Sequence, residues 1–226
     1  MDIYLVPGLG ADHRLFQRLD LAPHPVHPLN WPAMPEGSSL ADFARVLADQ
    51  VDRTRPHALA GVSMGGMVVQ EMAALTRPVR TVVISSWKGP QEMPPPIRVL
   101  RGTHAERILT PAFMKRTLPL IRWQMGVETE ADKALFDAFI AATPLEQVRV
   151  QIAAVLAWEG PSRPVEGLVH IHGSGDRLMP IWHIQRPLRV EGGGHFMVHN
   201  RAEDVSQLVL QALEAQATPS GNGTSL

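Results

Sequence analysis

One serine of this sequence is well placed for nucleophilic chemistry: Ser63, in the pentapeptide Gly61-Val62-Ser63-Met64-Gly65, which we call the elbow. A strand-like apolar run, residues 58–60, precedes the elbow, and an apolar stretch of helical character, residues 66–73, follows it. A Gly-X-Ser-X-Gly pattern between a strand and a helix is typical of a sharp turn that lifts the hydroxyl clear of a sheet. Ser63 is therefore predicted to be a nucleophile.

A serine hydroxyl becomes an effective nucleophile only when a base takes its proton and a third group orients that base. Candidates for both roles follow Ser63 along the chain. Asp176 ends a Gly-Ser-Gly-Asp turn directly after a strand-like segment, residues 167–172, and His195 follows three consecutive glycines. The order Ser, Asp, His predicts a triad in which His195 is the base and Asp176 orients it.

Acyl transfer also needs backbone N–H groups directed at the negative charge that develops on the substrate oxygen. The N–H of Met64, directly after the nucleophile, is one expected donor, and the loop after an early strand should supply the second. Here a strand, residues 3–6, leads into Pro7-Gly8-Leu9-Gly10, and the glycines free this backbone to turn its amides inward. We expect Leu9 N–H to be the second donor.

Other residues near these motifs have plainer interpretations. Ser63 itself could be an ordinary helix N-cap, and Asp176 could simply close its own turn. His199 competes with His195, but only His195 directly follows the glycines. His170 and His172 alternate along a strand, so we expect them to share one face and to be structural.

Cofactor and metal sites are not expected. Gly8-Leu9-Gly10 after a strand resembles part of a dinucleotide-binding fingerprint, but its third glycine is missing. No His-Glu-X-X-His spacing occurs, and the chain has no cysteine, which excludes disulfides, thiolate metal sites and cysteine nucleophiles.

In their order, these motifs resemble those of the α/β-hydrolase superfamily, specifically its small members with a helical lid, such as bacterial carboxylesterases. The resemblance covers nearly all of residues 1–215, and it is specific for the superfamily rather than for a substrate. The opening Pro-Gly-Leu-Gly-Ala-Asp and the turn Ile-His-Gly-Ser-Gly-Asp also look like those of a group of uncharacterised bacterial hydrolases. One departure is Pro7-Gly8, where many relatives have a His-Gly pair.

Strand-like and helix-like segments alternate along the chain, which is typical of an α/β fold with a mostly parallel sheet between two layers of helices. We predict an α/β-hydrolase fold with a reduced sheet of about six strands and the elbow strand near its centre. Ser39 and Asp42 resemble a capping box that opens a helix running to about Asp52. Its apolar stripe is expected to be Leu40, Phe43, Val46, Leu47 and Val51. Asn200 is the predicted N-cap of the last helix.

The alternation stops between Trp87 and about Pro164. The resemblance implies that residues 88–164 form a helical lid inserted into a core made of residues 1–87 and 165–215. We expect residues 216–226, rich in Ser, Gly and Thr, to be disordered. The residues expected to contact a substrate, although each could merely pack the lid, are Trp87, Met114, Trp123, Met125 and Trp158.

A length of 226 residues with 45% hydrophobic and 19% charged residues fits one globular domain. A net charge of -1 argues against a nucleic-acid or anionic-membrane surface. The sequence shows neither a signal-peptide pattern nor an apolar run long enough to span a bilayer, so we expect a cytoplasmic protein. The oligomeric state stays open.

The predicted reaction is hydrolysis of a small or medium carboxylic ester through an acyl-enzyme on Ser63. The same groups would also serve a thioesterase or an enzyme that hydrolyses an amide or a carbon–carbon bond. Two alternatives come from other classes: a receptor for a small ligand, and a lyase that uses the three residues without an acyl-enzyme.

Overall fold

A computed structural model of the chain describes residues 1–215. Its strands are β1 (Asp2–Val6), β2 (Val26–Pro28), β3 (His57–Val62), β4 (Arg80–Ile84), β5 (Leu168–Gly173) and β6 (Leu188–Val190). They form one parallel sheet in the order β2-β1-β3-β4-β5-β6. The predicted sheet of about six strands, with the elbow strand near its centre, is confirmed. The predicted disordered tail, residues 216–226, lies outside the described residues.

The helices of the described part are α1 (Leu40–Ala48), α2 (Met64–Thr76), α3 (Pro95–Val99), α4 (Pro111–Met125), α5 (Glu130–Ala142), α6 (Leu145–Ala157), α7 (Met197–Asn200) and α8 (Ala202–Glu214). Within residues 1–215, no single helix is long and apolar enough to cross a membrane. Only α5 and α6 taken together reach that length and composition, and they are bent by 97° relative to each other.

Helix α1 begins with the predicted capping box. Ser39 Oγ accepts the N–H of Asp42 at 3.2 Å, and the Asp42 carboxylate accepts the N–H of Ser39 at 2.8 Å. The helix ends at Ala48 rather than near Asp52. The predicted apolar stripe is wrong at Val46, which is 40% exposed, because its direction lies roughly 60° outside the arc of the buried stripe residues.

The last helix begins differently from the prediction. Asn200 is the final residue of α7, and Arg201 precedes α8 without a side-chain capping bond. The Asn200 amide donates instead to the carbonyl oxygen of Gly126, at 2.9 Å. The predicted N-cap is therefore wrong, because a contact with a distant segment uses the side chain that would have capped the helix.

The sheet is buried on both faces, which explains why its central strands are almost wholly apolar. Along β1, Ile3 and Leu5 pack on one face while Tyr4 and Val6 pack on the other, as the two-residue period of a strand requires. Helices α1 and α2 cover the face of Tyr4, and α7 and α8 cover the face of Ile3. This double packing fixes the carboxyl edge of the sheet, where the loops after β1, β3, β5 and β6 meet.

Ser63 has a left-handed backbone conformation, with φ 55° and ψ -121°, between β3 and α2. Such a conformation costs about 1–3 kcal/mol in a residue with a side chain. Hydrogen bonds hold it in place: Ser63 N–H donates to Ile84 O at 2.9 Å, and Ser63 O accepts from Gly66 N–H at 2.9 Å and from Ser86 Oγ at 2.7 Å. Strand β4 and the residues after it thus support the turn.

Two glycines let the elbow pack against its neighbours. A Cβ on Gly61 would lie 2.2 Å from Gly65 O, and a Cβ on Gly65 would lie 2.3 Å from the carbonyl oxygens of Val6 and Pro7. All these neighbours are backbone atoms that no rotamer change can move. The Gly-X-Ser-X-Gly pattern is therefore needed for the close approach of α2 to β3 and to the end of β1.

Residues 88–164, the helical insertion, contain helices α3 to α6. At the amino-terminal end of the insertion, the buried carboxylate of Glu92 accepts N–H groups from Lys88 at 2.7 Å and Gln185 at 2.9 Å. At its other end, Trp158 Nε1 donates to Glu71 Oε1 at 2.8 Å. Both ends of the insertion are thus fixed to the core, while its service as a lid stays a prediction.

Replacing either elbow glycine with alanine is expected to destabilise the protein strongly. Gly61→Ala and Gly65→Ala force backbone segments apart and should each lower the free energy of unfolding by about 3 kcal/mol or more. Gly37 has open space around its Cβ position and a φ of +85°, so Gly37→Ala should cost only about 1 kcal/mol of backbone strain. Urea unfolding followed by tryptophan fluorescence checks this, and equal losses in the three variants would contradict it.

Candidate active site

The fold brings the three predicted triad residues into one hydrogen-bonded line. Ser63 opens α2, Asp176 follows β5, and His195 follows β6, so all three lie at the carboxyl edge of the sheet. His195 Nε2 lies 3.0 Å from Ser63 Oγ, across 132 residues of sequence. His195 Nδ1 lies 2.8 Å from Asp176 Oδ2. These distances allow a proton to pass from the serine hydroxyl to the imidazole.

Asp176 is a buried carboxylate whose two oxygens are divided between backbone and imidazole. Its Oδ1 accepts the N–H of Leu178 at 3.0 Å and of Met179 at 2.7 Å, while Oδ2 faces His195. Burial raises the pKa of Asp176, but the charge of His195 and these hydrogen bonds outweigh burial, so its pKa lies below its ordinary value. The ionised carboxylate needs a donor, so it places the proton of neutral His195 on Nδ1 and leaves Nε2 free to accept the Ser63 proton.

Two further histidines lie behind the acid. His172 Nε2 lies 2.7 Å from Met179 O and 3.5 Å from Asp176 Oδ2. Because a carbonyl oxygen only accepts, this Nε2 carries the proton, and Nδ1 of His172 accepts from His170 Nε2 at 3.2 Å. Burial lowers the pKa of both histidines, well below the ordinary value for His170. The expectation that they share one face is confirmed, and they form a neutral layer behind Asp176.

The oxyanion loop, residues 7–10, lies against the nucleophile, since a Cβ on Gly8 would lie 3.5 Å from Ser63 Cβ. Gly8 O accepts Trp31 Nε1–H at 2.8 Å and Ala11 N–H at 3.1 Å. The N–H of Leu9 belongs to the same trans peptide as that carbonyl, so it points away from Trp31.

The second predicted donor is oriented by the same geometry. Ser63 O accepts the N–H groups of Gly66 and Met67 inside the first turn of α2, at 2.9 and 3.3 Å. The N–H of Met64 shares a peptide with Ser63 O and therefore points out of the start of the helix. It is available there to an anion bound beside Ser63.

Of the predicted substrate contacts, Met125 lies nearest the triad by direct contact. Met125 O accepts the N–H of Phe196, the residue after His195, at 2.8 Å. Trp123, two residues earlier on α4, is 57% exposed, and the guanidinium of Arg177 lies 4.7 Å from its ring centre. The end of α4 therefore packs on the loops that hold the triad acid and base.

The other three predicted contacts lie elsewhere. Trp87 is buried in the core that also contains α1 and α2, and Met114 is half-buried on α4. Trp158 is buried and directs its indole N–H to Glu71 on α2. For all five residues, contact with a substrate stays a prediction.

Three polar side chains that sequence analysis did not single out bind the backbone of the site. Ser86 Oγ donates to Ser63 O at 2.7 Å. Gln151 Oε1 accepts the N–H of Gly10 at 2.8 Å, and Thr143 Oγ1 donates to Gly10 O at 2.9 Å. No local sequence signal marks Gln151 and Thr143, because their partner lies 141 and 133 residues away.

His199, the sequence competitor of His195, lies outside the triad. Its Nε2 lies 3.8 Å from Asp132 Oδ1, and burial lowers its pKa. Within residues 1–215, no group of three or more His, Asp or Glu side chains lies close enough together to hold a metal ion.

The buried histidines predict a pH-dependent stability. Their pKa is lowered on folding, so below about pH 6.5 the unfolded chain binds protons that the folded protein does not bind. The stabilisation is fully present above that pH, and the free energy of unfolding falls as pH decreases, by about 1.4 kcal/mol per pH unit for each histidine.

Urea unfolding between pH 7 and pH 5 measures this slope. His170→Phe should reduce the slope by roughly one proton, whereas the exposed control His104→Asn should leave it unchanged. The same slope in wild type and His170→Phe would contradict the expectation.

The fold is similar to several solved structures. A thermophilic esterase from Thermogutta terrifontis has a TM-score of 0.73 and 18% identity, covering 96% of this chain and 91% of that chain. A hydrolase from Pseudomonas aeruginosa PA01 has a TM-score of 0.73 and 17% identity, covering 94% and 89%. A thioesterase from the prodiginine biosynthetic pathway of Streptomyces coelicolor has a TM-score of 0.63 and 19% identity, covering 94% and 90%. At these identities the likeness concerns the fold alone.

The sequence itself also has a family match. No curated protein sequence matches it significantly. The sequence model described as the alpha/beta hydrolase family, however, matches residues 3–208. That range contains Ser63, Asp176 and His195 together with the oxyanion loop. The chain therefore belongs to the alpha/beta hydrolase family.

Proposed function

We propose that this protein is a serine hydrolase that cleaves small or medium carboxylic esters through an acyl-enzyme on Ser63. The observation that supports this most is the line from Ser63 Oγ through His195 to the buried carboxylate of Asp176, with distances of 3.0 and 2.8 Å. Nucleophile, base and orienting acid are thus within hydrogen-bond reach of one another. Membership of the alpha/beta hydrolase family supports hydrolysis as the reaction class.

In the proposed first half-reaction, Ser63 Oγ attacks the ester carbonyl carbon and its proton passes to His195 Nε2. The carbonyl oxygen gains negative charge, which the N–H groups of Leu9 and Met64 stabilise. Asp176 stabilises the imidazolium and keeps its ring in position. The C–O bond to the alcohol then breaks, His195 gives its proton to the leaving oxygen, and the acyl group stays on Ser63.

In the second half-reaction, water attacks the acyl-enzyme and gives a proton to His195 Nε2. The same two N–H groups stabilise the second tetrahedral intermediate. Its collapse breaks the bond between Ser63 Oγ and the acyl carbon, and His195 returns the proton to Ser63. The carboxylic acid leaves, and the site regains its starting protonation state.

The helical insertion is proposed to serve as the lid that bounds the acyl-binding space. The backbone contact of Met125 with Phe196 puts the end of α4 beside the His195 loop, so an apolar side chain is available next to the reacting atoms. An apolar boundary of this kind favours an uncharged ester over a charged substrate.

A thioester is the second candidate substrate, and the fold likeness to the Streptomyces thioesterase favours it. The chemistry is the same except that a thiolate leaves in place of an alkoxide. Because a thiolate is the better leaving group, breakdown of the acyl-enzyme by water would be the slower half of that reaction. A receptor or a lyase on this fold would leave different signs, namely a labelled serine without ester turnover, or turnover without a covalent adduct.

Ser63→Ala is expected to lower kcat for nitrophenyl esters by at least about 10³-fold while leaving the fold intact. A fluorophosphonate should add once to the wild-type protein at Ser63 and should not add to the variant, as seen by intact-protein mass spectrometry. A panel of esters and of matching thioesters with increasing acyl length identifies the preferred substrate. The surface variant Ser162→Ala is the control and should retain both labelling and turnover. Full activity in Ser63→Ala would refute the proposal.

Asp176→Asn should preserve the shape of the site and lower kcat by about 10³- to 10⁴-fold. An amide can present its N–H₂ to His195, which would leave the proton on Nε2 and make His195 unable to accept from Ser63. The matched control is Asp137→Asn, which removes the carboxylate that pairs with Arg122 on the insertion. Steady-state kinetics with the preferred ester measure both, and an equal effect of the two substitutions would argue against the assigned role of Asp176.

A further inference from the structure

Gly10, in the oxyanion loop, is bound by the helical insertion through both of its backbone polar groups. Its N–H donates to Gln151 Oε1 at 2.8 Å, and its C=O accepts from Thr143 Oγ1 at 2.9 Å. Thr143 lies between α5 and α6, and Gln151 lies on α6. The insertion therefore replaces, for this one loop residue, the hydrogen bonds that a strand or helix would provide.

Two features indicate that these bonds fix the conformation of the loop. Gln151 is only 1% exposed, and burial of a long amide side chain costs side-chain entropy and hydration that hydrogen bonds must offset. Gly10 has a φ of +68°, in the left-handed region, so the loop turns sharply at the point where the insertion binds it.

The same bonds constrain Leu9 from both sides. The peptide before Leu9 is oriented by Gly8 O, which accepts from Trp31 and Ala11. The peptide after Leu9 contains the Gly10 N–H and is oriented by Gln151. With both peptide planes held, the φ and ψ angles of Leu9 are set, and so is the direction of its N–H.

We propose that Gln151 and Thr143 are positioning residues that hold the oxyanion loop so that Leu9 N–H points at the reacting carbonyl oxygen. This inference rests on the proposed function and adds a specific dependence to it. The oxyanion hole is complete only while α6 is packed on the core. Displacement of the insertion would therefore switch off the chemistry while leaving the Ser63–His195–Asp176 line intact.

The chain supplies a matched control one helical turn earlier. Gln147 on α6 binds both backbone groups of Met34: Met34 N–H donates to Gln147 Oε1 at 2.9 Å, and Gln147 Nε2 donates to Met34 O at 3.1 Å. This pair has the same chemistry, but it holds the segment after β2 and not the oxyanion loop. Loss of Gln147 thus reports the general cost of loosening α6.

The experiment compares Gln151→Met and Thr143→Val with Gln147→Met and the hydroxyl-retaining Thr143→Ser. One measurement is the rate constant for labelling of Ser63 by a fluorophosphonate, in which the Oγ–P bond forms, fluoride leaves, and the phosphoryl oxygen occupies the oxyanion hole. The others are kcat and KM for the preferred nitrophenyl ester and the urea unfolding midpoint.

Gln151→Met should lower the labelling rate and kcat by about 10- to 100-fold, with KM changed by less than about threefold, because misdirection of one donor weakens only transition-state binding. Thr143→Val should lower both by about three- to tenfold, and Thr143→Ser should restore them. Gln147→Met should stay within about threefold of wild type even if it unfolds at a lower urea concentration.

Equal losses in Gln147→Met and Gln151→Met, a change confined to KM, or wild-type rates in Gln151→Met would each overturn the inference. If Gln151→Met does not fold, the comparison of Thr143→Val with Thr143→Ser decides. A wild-type protein that is labelled but cleaves no ester refutes the ester proposal alone, because the labelling rates still test the positioning role. A wild-type protein that is not labelled overturns both.

Discussion

The left-handed backbone of Ser63 is the constraint on which the rest of the site depends. A φ of 55° is unfavourable for serine, so the turn exists only where its surroundings hold it. Strand β4 and Ser86 hold its backbone groups, and the bare Cα atoms of Gly61 and Gly65 let α2 lie against β3 and the end of β1. The same close approach brings the oxyanion loop to Ser63. Strain in one residue and the assembly of the site are therefore parts of one packing arrangement.

Burial gives the acid and the base their properties. Asp176 lies in an apolar interior where an unpaired carboxylate would be protonated, yet two backbone N–H groups and His195 keep it ionised. The neutral layer of His170 and His172 behind it puts no positive charge there to compete with the imidazolium that forms on His195. The carboxylate therefore acts on a single imidazole, which fixes the tautomer that the proposed reaction needs.

The helical insertion belongs to the framework of the site as well as covering it. The end of α4 binds the loop of His195 through Met125 and Phe196, and the α5–α6 region binds the oxyanion loop through Thr143 and Gln151. Each contact joins segments that are far apart in sequence, so neither loop reaches its observed conformation from local interactions alone. Binding and catalysis are thereby coupled through the packing of the insertion on the core.

The sequence by itself determined the parallel sheet, the elbow and the order of the three triad residues, because strand burial, close glycine approach and turn formation are local demands that leave local patterns. It failed at Val46 and Asn200, where the direction of a helix face and a tertiary hydrogen bond outweighed the local pattern. Only the tertiary structure decided that Gln151 and Thr143 bind Gly10. A helix glutamine has no sequence mark for a partner more than a hundred residues away, since that contact exists only after the sheet, α6 and the loop have packed together.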